Sequence, residues 1–205
     1  MPNGSEQFNA IWCKNDEERS AVWGWARDDF DKRQNELQTQ GFRLKKLNAF
    51  VLPNGREHFN AIWCKNNEER PAVWGWARND FDKHQEELQA QGFRLEELNA
   101  FVLPNGREHF NAIWCKSNEE KPAVWGWARD DFDKHQEELQ AQGFRLEELN
   151  TFVLPNGREH FNAIWCKNNE ERPTVWGWTR ADFDKQQAEL QTQGYSLLRI
   201  SAYVP

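Results

Sequence analysis

The side chains able to perform nucleophilic or metal-binding chemistry are few. The cysteines stand at a constant interval of 51 residues, as Cys13, Cys64, Cys115 and Cys166. None forms the Cys-x-x-Cys pair that is typical of zinc sites. Two interpretations remain: four thiolates around a zinc ion on a symmetry axis, or four separate reduced thiols. The missing pair favours separate thiols, so we expect no metal and no cofactor.

The serines and histidines do not form a catalytic motif. None of the five serines precedes a lysine by three residues, which is the spacing of one family of serine nucleophiles. Cys64 and His58 lie six residues apart on one predicted strand, a separation of about 20 Å. Gly-x-Ser-x-Gly, phosphate-loop and His-Glu-x-x-His motifs are also missing from the sequence. We therefore expect no enzyme activity.

A second set of repeated side chains fits the recognition of sugars. An indole ring can stack on a pyranose, and Arg and Asn side chains can hydrogen-bond to its hydroxyl groups. A binding site needs an aromatic surface combined with such fixed polar groups. The alternative is that most Trp residues only fill the core. The residues predicted to bind a ligand, with His at the rim, are Asn9, Trp25, Arg27, His58, Asn60, Trp76, Arg78, His109, Asn111, Trp127, Arg129, His160, Asn162, Trp178 and Arg180.

These candidates recur because the chain is a tandem repeat. The string Phe-Asn-Ala-Ile-Trp-Cys-Lys occurs four times, starting at Phe8, Phe59, Phe110 and Phe161. Val-Trp-Gly-Trp also occurs four times, and the two strings together contain all 12 Trp residues. The period predicts one domain over residues 1–205, divided at the hairpin turns into repeats of approximately 1–51, 52–102, 103–153 and 154–205.

One period contains a predictable series of elements. A strand is expected over residues 42–52, a turn at Pro53-Asn54-Gly55, and a returning strand over 58–65. A short extended segment, Val73 to Trp76, precedes a helix over about 78–91 whose buried stripe is narrow. Thr179 is expected to cap the fourth helix, where the other repeats have alanine. Each repeat is therefore predicted to be a ββα unit.

The phase of the repeat predicts a closed ring. The phase predicts that residues 195–204 are a first strand without its partner, and that residues 6–14 are a second strand without its first. Pairing the N- and C-terminal strands removes both defects, as in some propellers. The expected fold class is α+β, a closed, Trp-cored β-barrel or propeller-like ring of four 51-residue ββα repeats with pseudo-fourfold symmetry. The alternative to a closed monomer is an end-swapped dimer with the same pairing.

Composition limits the partners. The 205 residues have a formal net charge of −7, a pI near 5.4 and a mean hydropathy of −0.98. This balance disfavours nucleic acid and anionic membranes as partners. No apolar run approaches the roughly 20 residues that span a bilayer, so membrane insertion is not expected. No signal peptide is visible, which predicts a cytoplasmic location or secretion by another route.

The motifs resemble those of the bacterial tandem repeat family, which includes the Trp-rich N-terminal domain of polyglycine hydrolases. The shared features are Gln-Gly-Phe-Arg-Leu, Asn-Ala-Phe, a turn with glycine, the Ala-Ile-Trp strand, and a Trp before an acidic helix. The resemblance implies a Trp-based barrel or propeller-like fold. Cys64 and Asn60 depart from the family pattern. The hydrolase activity belongs to a separate domain of those relatives, so the resemblance implies no activity for this chain.

The similarity between repeats extends to their surfaces, since the second and third units are almost identical. Recent duplication explains this, and so does a requirement for four equivalent sites that gain avidity on a multivalent target. We expect a non-enzymatic, multivalent carbohydrate-binding protein whose partners are glycans or glycoproteins. The alternatives are a structural or protein- and peptide-interaction module, and an engineered symmetric scaffold without a ligand.

Overall fold

The computed structural model of the protein describes residues 17–52 and 54–196. The described chain repeats one order of elements, a strand, a helix and a hairpin. The first unit comprises β1 (Arg19–Ala26), α1 (Arg27–Thr39), β2 (Phe42–Val51) and β3 (Glu57–Lys65). The others comprise β4 (Ala72–Ala77), α2 (Arg78–Ala90), β5 (Phe93–Val102) and β6 (Glu108–Lys116); β7 (Ala123–Ala128), α3 (Arg129–Ala141), β8 (Phe144–Val153) and β9 (Glu159–Lys167); and α4 (Arg180–Thr192).

Each of the first three units folds into an antiparallel, three-stranded sheet. The strand orders are β1-β3-β2, β4-β6-β5 and β7-β9-β8. The short Trp strand therefore pairs with the hairpin that follows it, across the intervening helix. The expected ββα order thus becomes a β-α-β-β unit. The boundary between units of a periodic sequence can be drawn at any point of the repeat. When it is drawn just before the Trp strand, each unit contains all three strands of its sheet.

A bulge in each Trp strand separates its two indoles. The pairing register of β4 shifts between Val73 and Trp76, where Gly75 has a φ of 65°. This left-handed conformation is readily accessible only to glycine. Trp74 consequently packs against Phe30 of the preceding unit, whereas Trp76 lies beside His84 of its own helix.

Aromatic side chains fill the space between each helix and its sheet. Phe81 of α2 is fully buried and stacks on Phe110 of β6, with ring centroids 5.1 Å apart. The indole N–H of the buried Trp114 donates to Gln85 Oε1 over 2.6 Å. The predicted stripe of Phe81, Gln85 and Leu88 is confirmed, since these are the buried residues of α2. The helix is therefore fixed by ring packing and by one buried hydrogen bond.

The predicted helix start is also confirmed. The Thr179 hydroxyl accepts a hydrogen bond from Asp182 N–H at the start of α4. Helices α1, α2 and α3 follow Ala26, Ala77 and Ala128, which provide no side-chain cap. The fourth helix is thus the best capped by its own sequence, even though none of its residues is buried.

Neighbouring units share their cores. Phe101 and Ile113 of the second unit belong to the hydrophobic cluster of the first, and Phe152 and Ile164 of the third belong to that of the second. Strand β2 contacts β5, and β5 contacts β8. The second strand of each unit therefore lies beside its counterpart in the next unit.

Three charged side chains at equivalent positions converge where these strands meet. Lys46 Nζ forms an ion pair with Glu97 of the second unit and lies 3.3 Å from Glu148 Oε1 of the third. Contact between the first and third units requires the series to curve around a common line. The strands expected to close the ring, at 6–14 and 195–204, fall outside the described residues except for Tyr195 and Ser196.

Candidate functional site

The repeated asparagines stabilise the bulges of the Trp strands. The backbone N–H of Gly75 donates to Asn111 Oδ1 over 2.9 Å, and Gly24 N–H donates to Asn60 Oδ1 over 2.8 Å. Asn111 is 1% exposed, and its amide group donates to Asn99 Oδ1 over 2.9 Å. Buried amides require such partners. The same arrangement holds at Asn162, while Asn9 falls outside the described residues.

The repeated arginines connect one unit to the next. Arg78 donates to Glu108 in its own unit over 2.5 Å and to the Trp125 carbonyl of the following unit over 3.2 Å. Its guanidinium also lies 5.1 Å from the centre of the Phe110 ring. Arg27 makes the equivalent contacts with Glu57, Trp74 and Phe59.

The bulge glycines make room for these arginines. A Cβ atom at Gly126 would clash with the Arg78 guanidinium, and one at Gly177 would clash with that of Arg129. Arg129 pairs with Glu159 in its own unit. In the described part of α4, Arg180 instead lies 3.3 Å from Asp184 of the same helix. Three of the four arginines predicted as ligand contacts, Arg27, Arg78 and Arg129, therefore belong to joints between repeats.

Two of the three histidines predicted for the site rim lie at the same joints. His109 Nδ1 lies 3.4 Å from Glu57 Oε1 of the preceding unit, and His160 Nδ1 lies 3.4 Å from Glu108 Oε1. In the first unit, His58 Nδ1 lies 2.8 Å from the Gly24 carbonyl oxygen. The structure thus places the predicted Asn residues at bulges within each unit, and most of the predicted Arg and His residues at the joints between units.

The second Trp of each strand lies on a more open surface. Trp25 is 37% exposed and Trp178 is 46% exposed; Trp76 and Trp127 are half-buried. A shallow groove beside Trp25 has a volume of about 400 Å³ and runs between β1 and α1. Its lining consists of Ala21, Val22, Trp25, Asp29, Lys32, Arg33 and Glu36.

The polar residues of this groove were missed as site residues by the sequence analysis. Asp29, Lys32, Arg33 and Glu36 lie on the exposed face of a helix, a position typical of ordinary solvated side chains. The second and third units have His84 and His135 at the position of Arg33, and each imidazole centroid lies 5.0 Å from the indole of its own Trp strand. The recurrence of the other three residues at intervals of 51 was the available signal.

Cys64, Cys115 and Cys166 are free thiols. Burial raises the pKa of each above its ordinary value of 9.0, and nearby carboxylates raise it further: Glu17 beside Cys64 and Glu96 beside Cys115. These environments favour the neutral thiol over the reactive thiolate. Within residues 17–52 and 54–196, no group of three or more His, Cys, Asp or Glu side chains is placed to hold a metal ion. No helix in this part of the chain could span a membrane.

A family model described as "polyglycine hydrolase-like, structural repeat" matches residues 19–66, 72–117, 123–168 and 174–205. The chain belongs to this family of repeats. The first three matches begin with the Trp strand and end just after the hairpin, so they coincide with the β-α-β-β units. This confirms the resemblance found in the sequence. No curated protein and no solved structure matches the chain.

Proposed function

We propose that this chain is a non-enzymatic, multivalent carbohydrate-binding protein with one shallow groove per repeat. The observation that carries the proposal is the groove beside Trp25, where a partly exposed indole adjoins acidic and basic side chains of α1. The indole face supplies a stacking surface for a pyranose. Asp29 and Glu36 would accept hydrogen bonds from sugar hydroxyls, and Lys32 would donate them.

The same residue types recur at the equivalent positions of the other repeats. Three polar positions are invariant: Asp, Lys and Glu follow each groove Trp at the same intervals. The fourth position changes from Arg33 to His84, His135 and Gln186, all of which can donate a hydrogen bond. The equivalent sets are Trp76, Asp80, Lys83, His84 and Glu87; Trp127, Asp131, Lys134, His135 and Glu138; and Trp178, Asp182, Lys185, Gln186 and Glu189.

A shallow groove holds a sugar weakly, and four grooves compensate through avidity. Linked sites gain about 10²–10⁴ over a single site when the target presents several copies. The partners of such a protein are glycans or glycoproteins with closely spaced chains. On a glycan array, the protein should bind at least one glycan at high density and lose it at low density. Absence of binding at every density contradicts the proposal.

The joints favour a second candidate, a structural or peptide-interaction repeat. Within the described residues, and apart from Arg180 of α4, the Asn, Arg and His residues first considered for a ligand make contacts that build or connect repeats. The matched family is itself described as a structural repeat. This candidate predicts capture of a protein or extended peptide that free sugars do not displace. An engineered scaffold predicts high thermal stability and no ligand at all.

We also propose that the four units form a closed ring with pseudo-fourfold symmetry. The convergence of Lys46, Glu97 and Glu148 supports this arrangement. Arg199 occupies the same position of the fourth repeat in the sequence, so the axis would have two positive and two negative charges. Light scattering should give a monomer mass that does not change on dilution. A dimer would favour the end-swapped alternative.

A further inference from the structure

Adjacent repeats are joined three times by the same pair of contacts. The indole N–H groups of Trp74, Trp125 and Trp176 donate to Asp31, Asp82 and Asp133 of the preceding helix over 2.7, 2.6 and 2.9 Å. Each indole also packs edge-on against the Phe that precedes its Asp, with ring centroids 5.2 Å apart. This Trp–Asp–Phe contact is therefore a regular feature of the repeat.

Among the described residues, one half of the same contact lacks a partner from a neighbouring unit at each end of the series, and Asp184 lies instead 3.3 Å from Arg180 Nε of its own helix. Trp23 occupies the position of Trp74 in the first unit and is 64% exposed. Asp184 and Phe183 occupy the positions of Asp31 and Phe30 in α4. Asp184 is exposed and Phe183 is half-buried, whereas Phe30 and its counterparts in α2 and α3 are fully buried.

We propose that Trp23 docks on α4 of the same chain, with its indole N–H donating to Asp184 and its ring packing against Phe183. This interface rests on the proposed closed ring and is independent of the proposed sugar grooves. It would continue the series of three observed contacts with the same residue types and spacing. Docking would bury a large indole that is otherwise exposed to water, and burial of its apolar surface stabilises the fold.

The backbone around Trp23 also matches the other joints. Gly75, Gly126 and Gly177 adopt φ values of 65°, 64° and 68° where the arginine of the preceding unit approaches. Gly24 has the same conformation, with a φ of 65°. Arg180 starts α4 as Arg27 starts α1, and docking would bring its guanidinium to the Trp23 carbonyl.

The curvature of the series selects α4 of the same chain over that of a second copy. Lys46 of the first unit reaches Glu148 of the third, so the units turn about a common line. Continuing the turn by one unit brings the fourth next to the first. Docking between copies would instead produce concentration-dependent assembly.

The test is a double-mutant cycle with a matched cycle at an observed joint. Trp→Phe removes the indole donor and retains a ring, and Asp→Asn removes the charge. Trp23→Phe combined with Asp184→Asn should show a coupling of about fivefold in the unfolding equilibrium constant, as should Trp74→Phe combined with Asp31→Asn. The proposal would be overturned if the Trp23→Phe and Asp184→Asn effects on the free energy of unfolding were additive while those of Trp74→Phe and Asp31→Asn were coupled.

An NMR measurement reports the contact without unfolding the protein. The indole resonance of Trp23 is assigned by its loss in Trp23→Phe. It should shift in Asp184→Asn and stay unchanged in Asp31→Asn, at a dilution where light scattering shows a monomer. An unshifted resonance in Asp184→Asn overturns the docking, and a shift that appears only with dimer formation assigns the partner to a second copy. Neither result depends on glycan binding.

Discussion

The contacts that build and join the repeats use polar residues in a different way from the groove beside Trp25. Asn111 is buried at the bulge of its own unit, and Arg78 contacts two units at a joint. In the groove, Trp25 is partly exposed and the charged residues lie on one face of α1. The residue types of both regions recur every 51 residues. Repetition alone therefore does not identify a binding site, because a symmetric assembly also needs identical joints.

The two regions tolerate substitution differently because only one of them removes polar groups from water. A buried amide without a partner is costly, so a position such as Asn111 must be the same in every copy that builds the same bulge. An exposed groove residue has no such constraint, and the change from Arg33 to His84 and Gln186 is tolerated there. We therefore expect substitutions at the bulges and joints to lower the free energy of unfolding, and substitutions in the groove to weaken glycan binding.

The largest effect is expected for the core that both regions share. Phe81→Ala removes a fully buried ring that stacks on Phe110 and lies near Trp114. The cavity should lower the free energy of unfolding by about 3–5 kcal/mol, measured by urea denaturation. Lys83→Ala, at an exposed position of the same helix, is the control and should change it by less than about 0.5 kcal/mol.

A smaller loss is expected for the bulge of a Trp strand. Asn111→Ala removes the acceptor of Gly75 N–H and the donor to Asn99. The unfolding free energy should fall by about 1–3 kcal/mol, while glycan binding is retained in the folded fraction. Lost binding with unchanged stability would return Asn111 to the binding site and remove the distinction between the regions.

The arginine joint should be weaker still. The Arg78 side chain is 37% exposed, so solvent screens its pair with Glu108 and we expect Arg78→Ala to cost about 0.5–1 kcal/mol. The loss should shrink in high salt, which weakens ion pairs at partly exposed positions. A thermal melt of the variant and the parent at two salt concentrations measures both effects.

A substitution in the groove should affect glycan binding more than it affects the free energy of unfolding. Trp25→Ala removes a partly exposed indole, so its effect on unfolding should be smaller than that of Asn111→Ala. Binding to a dense glycan surface should fall several-fold because one of four sites is lost. Surface plasmon resonance measures the change. Full retention of binding, in a variant with the parent's circular dichroism spectrum, would argue against the groove.

The smallest effect on stability at neutral pH is expected from the thiols. Burial raises the pKa of Cys64, Cys115 and Cys166 in the folded state. The resulting stabilisation is complete below the unfolded pKa and is lost as pH rises through the folded value. Iodoacetamide labelling at pH 9 should therefore be slower in the folded protein than in urea. Equal rates in both states would show that the thiols are accessible.

Local patterns predicted much of the fold. The hairpin turn is present, with Gly55 at a φ of 80° and Leu52 N–H donating to the Arg56 carbonyl over 2.9 Å. The helical stripe and the Thr179 cap also follow from residues close together in sequence. The pairing of the Trp strand with the later hairpin was not predicted, because it joins segments separated by a helix.

The site was harder to predict than the fold. Asn60 and Arg78 have side chains that suit both sugars and backbone groups, and only the tertiary contacts distinguish these roles. The groove residues Asp29 and Glu36 had the pattern of an ordinary solvated helix. These residues line a groove with Trp25 because β1 lies next to α1, and the periodicity of the sequence does not specify that packing.

The most direct test of the account is the number of glycans bound per chain. Equilibrium dialysis with a monovalent form of the best-bound array glycan, taken to saturation, measures this number. One groove in each of four repeats predicts four glycans per chain, each bound weakly. Saturation at a single glycan per chain, or no uptake at all, would contradict it.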